Sequence, residues 1–370
     1  MKETPEEIVG SIDDLLIEIL IRLPVRSLIR FKQVSKHWQS FISDPYFSIR
    51  PAQSHPVGMF VPRGIQNKIV FRCAYVSFSN KKPTARQIKG LTGVNIINSC
   101  NGLLLCSSYL NKPMNYFVYN PTTNKSSTIP DCGTQSKVLG ISLAFDPTRS
   151  RHYKVVLVRG IFVVDEFEYR FEVYSSENGC WRKPDGLFRS RIYFNYGVYW
   201  NGAIHWIDNK TRECLYFNPD DDDRMVMPRM GPSIPSVGSY RFYFGESCGH
   251  LNYVEFFEPS VCCSKVYELR RDYSEWFVKY SFDLSTIYEG LDYIKERESS
   301  KFSSIMVVHG EKDEDSFMVF IYRGKIIVRY NFVQGTCETI CDVGEYEKIH
   351  FYDEISFSHG FQYIESLCVI

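Results

Sequence analysis

The residues of this chain that could act as general bases, nucleophiles or metal ligands are eight histidines and twelve cysteines. An activated nucleophile needs a neighbouring base and a turn that exposes it, and such sites leave short signatures. No Gly-x-Ser-x-Gly elbow, His-Glu-x-x-His helix, P-loop or dinucleotide fingerprint occurs. His205 stands beside Trp206 in an apolar run, the setting of a packed strand histidine, whereas His152 and His250 fall at turns. Cys100 and Cys106 flank Leu103-Leu104-Leu105 and read as small core residues. A zinc framework needs paired ligands at fixed spacing. Cys262 and Cys263 are adjacent and Cys337 and Cys341 are separated by three residues, so neither pair qualifies, and no metal or cofactor is expected. The acidic run Asp220 to Asp223 lacks the spaced ligands and glycine of a calcium loop and reads as a solvated hairpin tip, as does Glu311 to Asp315. Lys81 to Arg86 reads as a basic loop, with target contact as the alternative.

A chain without a catalytic signature must act through its surfaces. The 43 basic and 43 acidic side chains cancel, so no global field draws it to nucleic acid or an acidic membrane. No apolar run approaches the roughly 20 residues of a membrane span. The start, MKETPEEIVG, is acidic where a signal peptide would be basic and then apolar, so a cytosolic or nuclear location with reduced thiols is expected. The sequons at Asn124 and Asn209 are then idle. Aromatic residues make up 15% of the chain, and they favour strands.

Two kinds of element are available to position such surfaces. From Asp13 to Phe47 the period is helical. Leu16, Ile19, Leu20 and Leu23 repeat at three- and four-residue steps, Asp13 or Asp14 is expected to cap that helix, and Pro24 to stop it. A second helix runs through Leu28 and Phe31, a third carries Val34, Trp38, Phe41 and Ile42, and Asp44-Pro45 ends the set. Segments below about 40 residues rarely enclose a core unaided. Another protein, or the rest of this chain, must cover part of these helices.

This stretch resembles the F-box, through which substrate receptors dock on the Skp-type adaptor of cullin-based ubiquitin ligases. The match runs through Asp14-Leu15-Leu16, Glu18-Ile19-Leu20, Leu23-Pro24, Ser27-Leu28, Arg30-Phe31, Val34-Ser35-Lys36, Trp38, Asp44-Pro45 and Phe47. Ser11-Ile12-Asp13 replaces the usual Leu-Pro opening, which bears on affinity more than on identity. The resemblance implies an adaptor face of Leu16, Ile19, Leu20, Leu23, Pro24, Leu28, Val34, Ser35 and Lys36, with Trp38 as internal packing and Leu15 fitting either role. A cullin and a RING subunit would follow through the adaptor.

After Pro51 the helical period gives way to short Val-, Ile-, Tyr- and Phe-rich runs between Asn, Gly, Pro and Asp clusters, the pattern of many short strands. Only Leu284 to Glu298 has a helical look. Asn101-Gly102, Tyr119-Asn120-Pro121 and Pro130 are echoed by Asn201-Gly202, Phe217-Asn218-Pro219 and Pro228, 100 residues apart at the turns. Fainter copies include Asn178-Gly179-Cys180-Trp181 and Cys248-Gly249-His250-Leu251. One intervening unit gives a period of about 50, within the range of propeller blades. A radial array also removes the open edges of a long all-β chain. The expected fold is a three-helix F-box followed by an all-β propeller of six or seven blades. Residues 1–10 form a flexible start, 11–50 the docking segment and 51–370 the recognition domain. The strand pattern also resembles the F-box-associated, kelch-related domain of plant F-box proteins, on Ser99-Cys100-Asn101-Gly102-Leu103, Tyr119-Asn120-Pro121-Thr122-Thr123, Phe145-Asp146-Pro147, Val173-Tyr174-Ser175 and Asn201 to Trp206. That implies a plant substrate receptor for an unidentified target and does not separate the self-incompatibility type from its relatives. The alternatives are a propeller hydrolase or lyase with a helical cap, and an F-box receptor that also needs a small molecule. Apolar residues from Glu354 to Ile370 are expected to close the ring on Met59-Phe60-Val61 or on Lys68 to Phe71.

Overall fold

The computed structural model describes residues 12–44, 55–65, 68–78, 85–87, 93–108, 115–133, 136–163, 166–190, 192–208, 212–221, 224–227, 240–257, 263–283, 302–322, 326–342, 360–368 and 370. The helical look of Leu284 to Glu298, the basic stretch Lys81 to Thr84 and the segment from Glu354 to His359 lie outside them.

Three short helices, α1 (Asp13–Leu20), α2 (Val25–Phe31) and α3 (Lys36–Ser43), precede six four-stranded antiparallel sheets. Each sheet is a blade. Blade 1 holds Gly58–Ile65, Lys68–Ser77 and Ala85–Gln87; blade 2 holds Val94–Cys100, Leu103–Ser108, Asn115–Asn120 and Lys125–Thr128. Blade 3 holds Val138–Ala144, Lys154–Val163, Glu166–Ser175 and Cys180–Arg182; blade 4 holds Val198–Trp200, Ala203–Ile207, Cys214–Phe217 and Arg224–Met227. Blade 5 holds Tyr240–Ser247, His250–Phe257, Cys263–Leu269 and Trp276–Asp283; blade 6 holds Phe302–Val308, Phe317–Tyr322, Ile326–Asn331 and Cys337–Asp342. The last strand, Phe361–Tyr363, returns to blade 1 as its inner strand, so the count is six blades.

Local chemistry explains the repeat. Asn101-Gly102, Asn201-Gly202 and Cys248-Gly249 all have positive φ at both residues and join the first two strands of blades 2, 4 and 5. Two-residue turns of that kind match the twist of the strands they connect, which is why Asn-Gly recurs there. The Asn-Pro signal marks the end of the third strand. Asn120 Oδ1 accepts from Thr122 N–H at 2.9 Å, Asn218 Oδ1 from Asp220 N–H at 2.9 Å, and Asn331 Oδ1 from Val333 N–H at 3.0 Å. Each side chain thereby holds the turn that starts the fourth strand.

The core is divided among the seams between blades. Phe60, Leu104, Cys106 and Tyr363 fill the seam between blades 1 and 2. Leu105, Val118, Leu143 and Val155 fill the next, and Val158, Phe171, Trp206 and Phe217 the one after. Phe171 stacks on Phe217 with centroids 4.1 Å apart. Blades 4 and 5 share Trp200, Ile207, Leu251 and Tyr253. A single cluster then runs from Val254 and Phe282 of blade 5 through Val319 and Val328 of blade 6 to Met59 and Val76 of blade 1, which completes the ring.

Closure falls on the first of the two expected strands. Gly58, Met59 and Phe60 pair with Tyr363, Gln362 and Phe361, while Lys68–Ser77 pairs on the other side of Gly58–Ile65. Three residue pairs make a short latch, and the chain beyond it adds a strap over blade 2. Asn120 Nδ2 donates to Ser366 O at 3.1 Å and to Cys368 O at 2.8 Å, and Ser366 N–H donates to Thr122 Oγ1 at 3.1 Å. Gly102, at φ +89°, lies so close that a Cβ would stand 2.5 Å from Ser366 Cβ. Only glycine fits there.

Two outcomes follow for this closure. Removal of residues 361–370 exposes the inner face of blade 1, and the expected result is aggregation or loss of cooperative thermal unfolding; a soluble truncation with an unchanged midpoint contradicts it. Asn120→Ala leaves two strap carbonyls without their donor, at a cost of about 1–3 kcal/mol each. Denaturant unfolding that matches the parent chain would show that the strap is not held by Asn120.

Candidate functional site

The three helices form a small unit with an apolar core and a few apolar side chains left on an otherwise polar surface. In α1, Leu16 and Leu20 are one turn apart and point inward, where they meet Val25 and Leu28 of α2 and Ile42 of α3. Phe31 and Trp38 meet edge to face at 5.4 Å, so Trp38 packs inside the unit as expected. Its amide donates to Ser35 Oγ at 3.1 Å, which makes Ser35 the cap of α3. The cap expected at Asp13 or Asp14 is not made. Ile12 occupies that position without a side-chain bond, and the two aspartates lie in the first turn, where they still complement the positive helix end. Pro24 does not terminate α1, which ends at Leu20; it precedes α2 as that helix's cap residue.

The expected adaptor face divides on burial. Leu16, Leu20 and Leu28 are 1%, 0% and 0% exposed, so they hold the helices together and are not open to a partner. Their place is inside the helical unit and not on its open surface. Leu23 packs partly against the same core and Ser35 is partly buried, whereas Pro24 and Lys36 are exposed. Ile19 is 45% and Val34 60% exposed, and they are joined by Leu15 at 46% and Ile12 at 42%. Ile12, Leu15 and Ile19 follow a three- then four-residue step along one side of α1. Large apolar side chains clustered in solvent mark an interaction surface. Ile12 belongs to the triplet that replaces the usual Leu-Pro opening, and Leu15 fitted either side. A single helical period cannot choose between two adjacent apolar faces.

The inner core of these helices is completed from far along the chain. Leu367 of the strap is 8% exposed and belongs to the same cluster as Leu16, Leu20 and Leu28. Glu365 Oε1 lies 2.6 Å from Arg26 Nε, so the strap also pairs with α2. The connections between first and second strands and between third and fourth strands share one face of the ring. Gly102, Thr122 and Arg151, all in such connections, contact the strap. The helices therefore stand on that face, beside blades 1 and 2.

Nothing in the described propeller assembles an activated nucleophile. His205 is fully buried, hydrogen-bonds Val198 O, Ala203 O and Tyr273 OH, and is pushed down to about 3 by burial. It is a packed strand histidine. Cys100 and Cys106 are buried, and burial raises both thiols. Cys248 lies beside an imidazole, 3.2 Å from His55 Nδ1, and burial pushes its thiol up to about 11, the opposite of a reactive thiolate. The axial cavity, about 70 Å³, is lined by Asn98, Tyr199, Glu246 and Gln362. It is room for about two waters. Glu246 accepts from Gly249 N–H at 2.7 Å and from Gln362 Nε2 at 3.1 Å, and its carboxyl is raised by burial. These contacts join blade 5 to the closing strand.

Comparison with known proteins agrees with both parts of the chain. Residues 13–50 match the model of the F-box domain, and residues 64–219 that of the F-box associated beta propeller domain. The F-box protein At5g07610 of Arabidopsis thaliana is 35% identical, over 97% of this chain and 92% of its own length. The F-box protein At5g49610 of the same plant is 27% identical over 66% of this chain and 71% of its own length. Among solved structures, a chain of the nidogen/laminin complex is similar at a TM-score of 0.43 and 9% identity, covering 84% of this chain and 98% of that one. With an F-box at one end, an F-box-associated propeller behind it and a relative of this likeness along nearly its whole length, the chain belongs to the family of F-box proteins.

Proposed function

We propose that this protein is the substrate-recognition subunit of a Skp–cullin–F-box ubiquitin ligase and performs no bond chemistry itself. The observation that carries this reading is the uncovered stripe of Ile12, Leu15 and Ile19 along α1, with exposed Val34 in the turn before α3, on a helical unit whose inner face is already satisfied by Leu367. An adaptor that buries this stripe would hold the receptor, and the cullin and RING subunit would follow through the adaptor. A receptor of this kind contributes proximity: a target fixed relative to the transferring enzyme reacts at a raised effective concentration. The helices occupy one face of the ring, so the opposite face is left for a target. That face carries the connections between second and third strands and those between blades. Loops on a rigid scaffold are the usual place for recognition. The target remains a protein of unassigned identity.

The adaptor reading separates outer from inner residues. Leu15→Ala with Ile19→Ala removes exposed apolar surface only; adaptor affinity is expected to fall by more than tenfold, about 2 kcal/mol, with the thermal midpoint unchanged. Leu20→Ala instead opens a cavity in the helical core and is expected to destabilise that unit by about 2–5 kcal/mol. Calorimetric titration with a purified Skp-type adaptor and thermal unfolding of each variant distinguish the two. Parent-like adaptor affinity in the Leu15/Ile19 double variant would sink the assignment.

A further inference from the structure

On the face that carries the helices, blades 5 and 6 meet over two histidines and a carboxylate that the adaptor reading does not use. His250 opens the second strand of blade 5, Glu268 lies near the end of its third strand, and His309 follows the inner strand of blade 6. One ligand-competent atom of each lies within 4.8 Å of the others, the only such group of three found among the described residues. His250 Nδ1 is 2.7 Å from Glu268 Oε1, and the two imidazole rings are 4.5 Å apart between centroids. Glu268 and His309 are buried, while His250 is partly exposed and leaves an entry from solvent.

The cluster is incompletely satisfied. Glu268 Oε2 is buried and accepts no hydrogen bond. Lys279 Nζ stands 3.9 Å from it, but also 3.5 Å from Asp313 Oδ1, which in turn accepts from Tyr280 OH at 2.9 Å. Around this centre an outer set of contacts is already in place. Asn252 Nδ2 donates to His250 O at 3.0 Å, which turns Asn252 Oδ1 toward His309 Nε2, also at 3.0 Å. His309 N–H donates to Ser247 Oγ at 3.1 Å, and Cys248 Sγ donates to His309 O at 3.1 Å. A contact like that from Asn252 to the His309 ring fixes the orientation of a ligating imidazole in metal sites.

We propose that His250, Glu268 and His309 form a binding site for a divalent transition cation of the zinc class, which ties blade 5 to blade 6. Two imidazoles and one carboxylate are a zinc ligand set, with the fourth position open to water or to Asn252 Oδ1. The unbonded oxygen of Glu268 gains a partner. Lys279, whose side chain is a quarter exposed, moves to Asp313, with which it already shares an ion pair. The three residues are absent from any local spacing because two come from separate strands of blade 5 and the third from the segment after the inner strand of blade 6.

The full chain, stripped of metal with a chelator and exchanged into chelator-free buffer, is titrated with zinc chloride by calorimetry and with cobalt chloride by absorption. The expected result is one site per chain, with cobalt bands of nitrogen and oxygen coordination and no thiolate charge transfer. His250→Gln and Glu268→Gln should each weaken zinc at least tenfold while keeping the metal-free melting temperature. Where one variant fails to fold, the other decides. No one-to-one binding, thiolate bands from the cysteines, or parent-like affinity in a folded variant overturns the proposal; the first outcome would leave the cluster as an ion-pair network.

Discussion

Closure of the ring and docking of the helices both pass through residues 361–368. Phe361–Tyr363 latches the ring, Asn120 and Thr122 of blade 2 hold the strap that follows, and Leu367 enters the core of the helices. A propeller with no latch exposes two blade faces, and a helical unit of this size cannot bury its own core. One segment meets both needs. The physical consequence is that the helices are packed on the propeller rather than tethered to it, with the Arg26–Glu365 pair fixing the side from which α2 approaches. That pair is largely solvent-exposed at Arg26, so orientation rests chiefly on apolar burial of Leu367.

Rigidity of this kind suits a receptor. On the proposed function, ubiquitin transfer would gain from a fixed distance between adaptor and target, and a docked F-box would make the propeller a spacer of defined geometry. The seams supply the stiffness. Stacked aromatics such as Phe171 on Phe217 and Tyr280 on Phe332, the latter with centroids 4.4 Å apart, join neighbouring blades across continuous apolar contact. Asn98 adds a polar tie near the axis, donating to Gly197 O at 2.9 Å and accepting from Leu143 N–H at 3.1 Å, so blade 2 is joined to blades 3 and 4.

Much of this architecture could be read from local chemistry. Asn101-Gly102 and Asn201-Gly202 announced hairpins because both residues need positive φ, and the Asn-Pro steps announced the turn after the third strand of blades 2 and 4. Turn types depend on the residues in the turn, so one sequence suffices. The blade count was narrower in the structure than in the sequence, because blades 3, 5 and 6 lack Asn-Pro; in blade 6 Asn331 does the same work without the proline. The inner and outer faces of α1 were not legible for a different reason. Leu15 and Leu16 are neighbours, and which of them is buried depends on a leucine near the other end of the chain. The cluster of His250, Glu268 and His309 was illegible on the same grounds, since strand pairing and blade packing create it.

The account stands on the strap holding the helices to the propeller, and hydrogen exchange measures this directly. In the full chain with Leu367→Ser, amides of α1 and α2 should exchange many times faster than in the parent. Amides in the seams of blades 3, 4 and 5, remote from the strap, should keep their protection. Unchanged protection throughout α1 and α2 would contradict the account, because it would mean that the F-box forms its core without the propeller and that the two parts are merely linked.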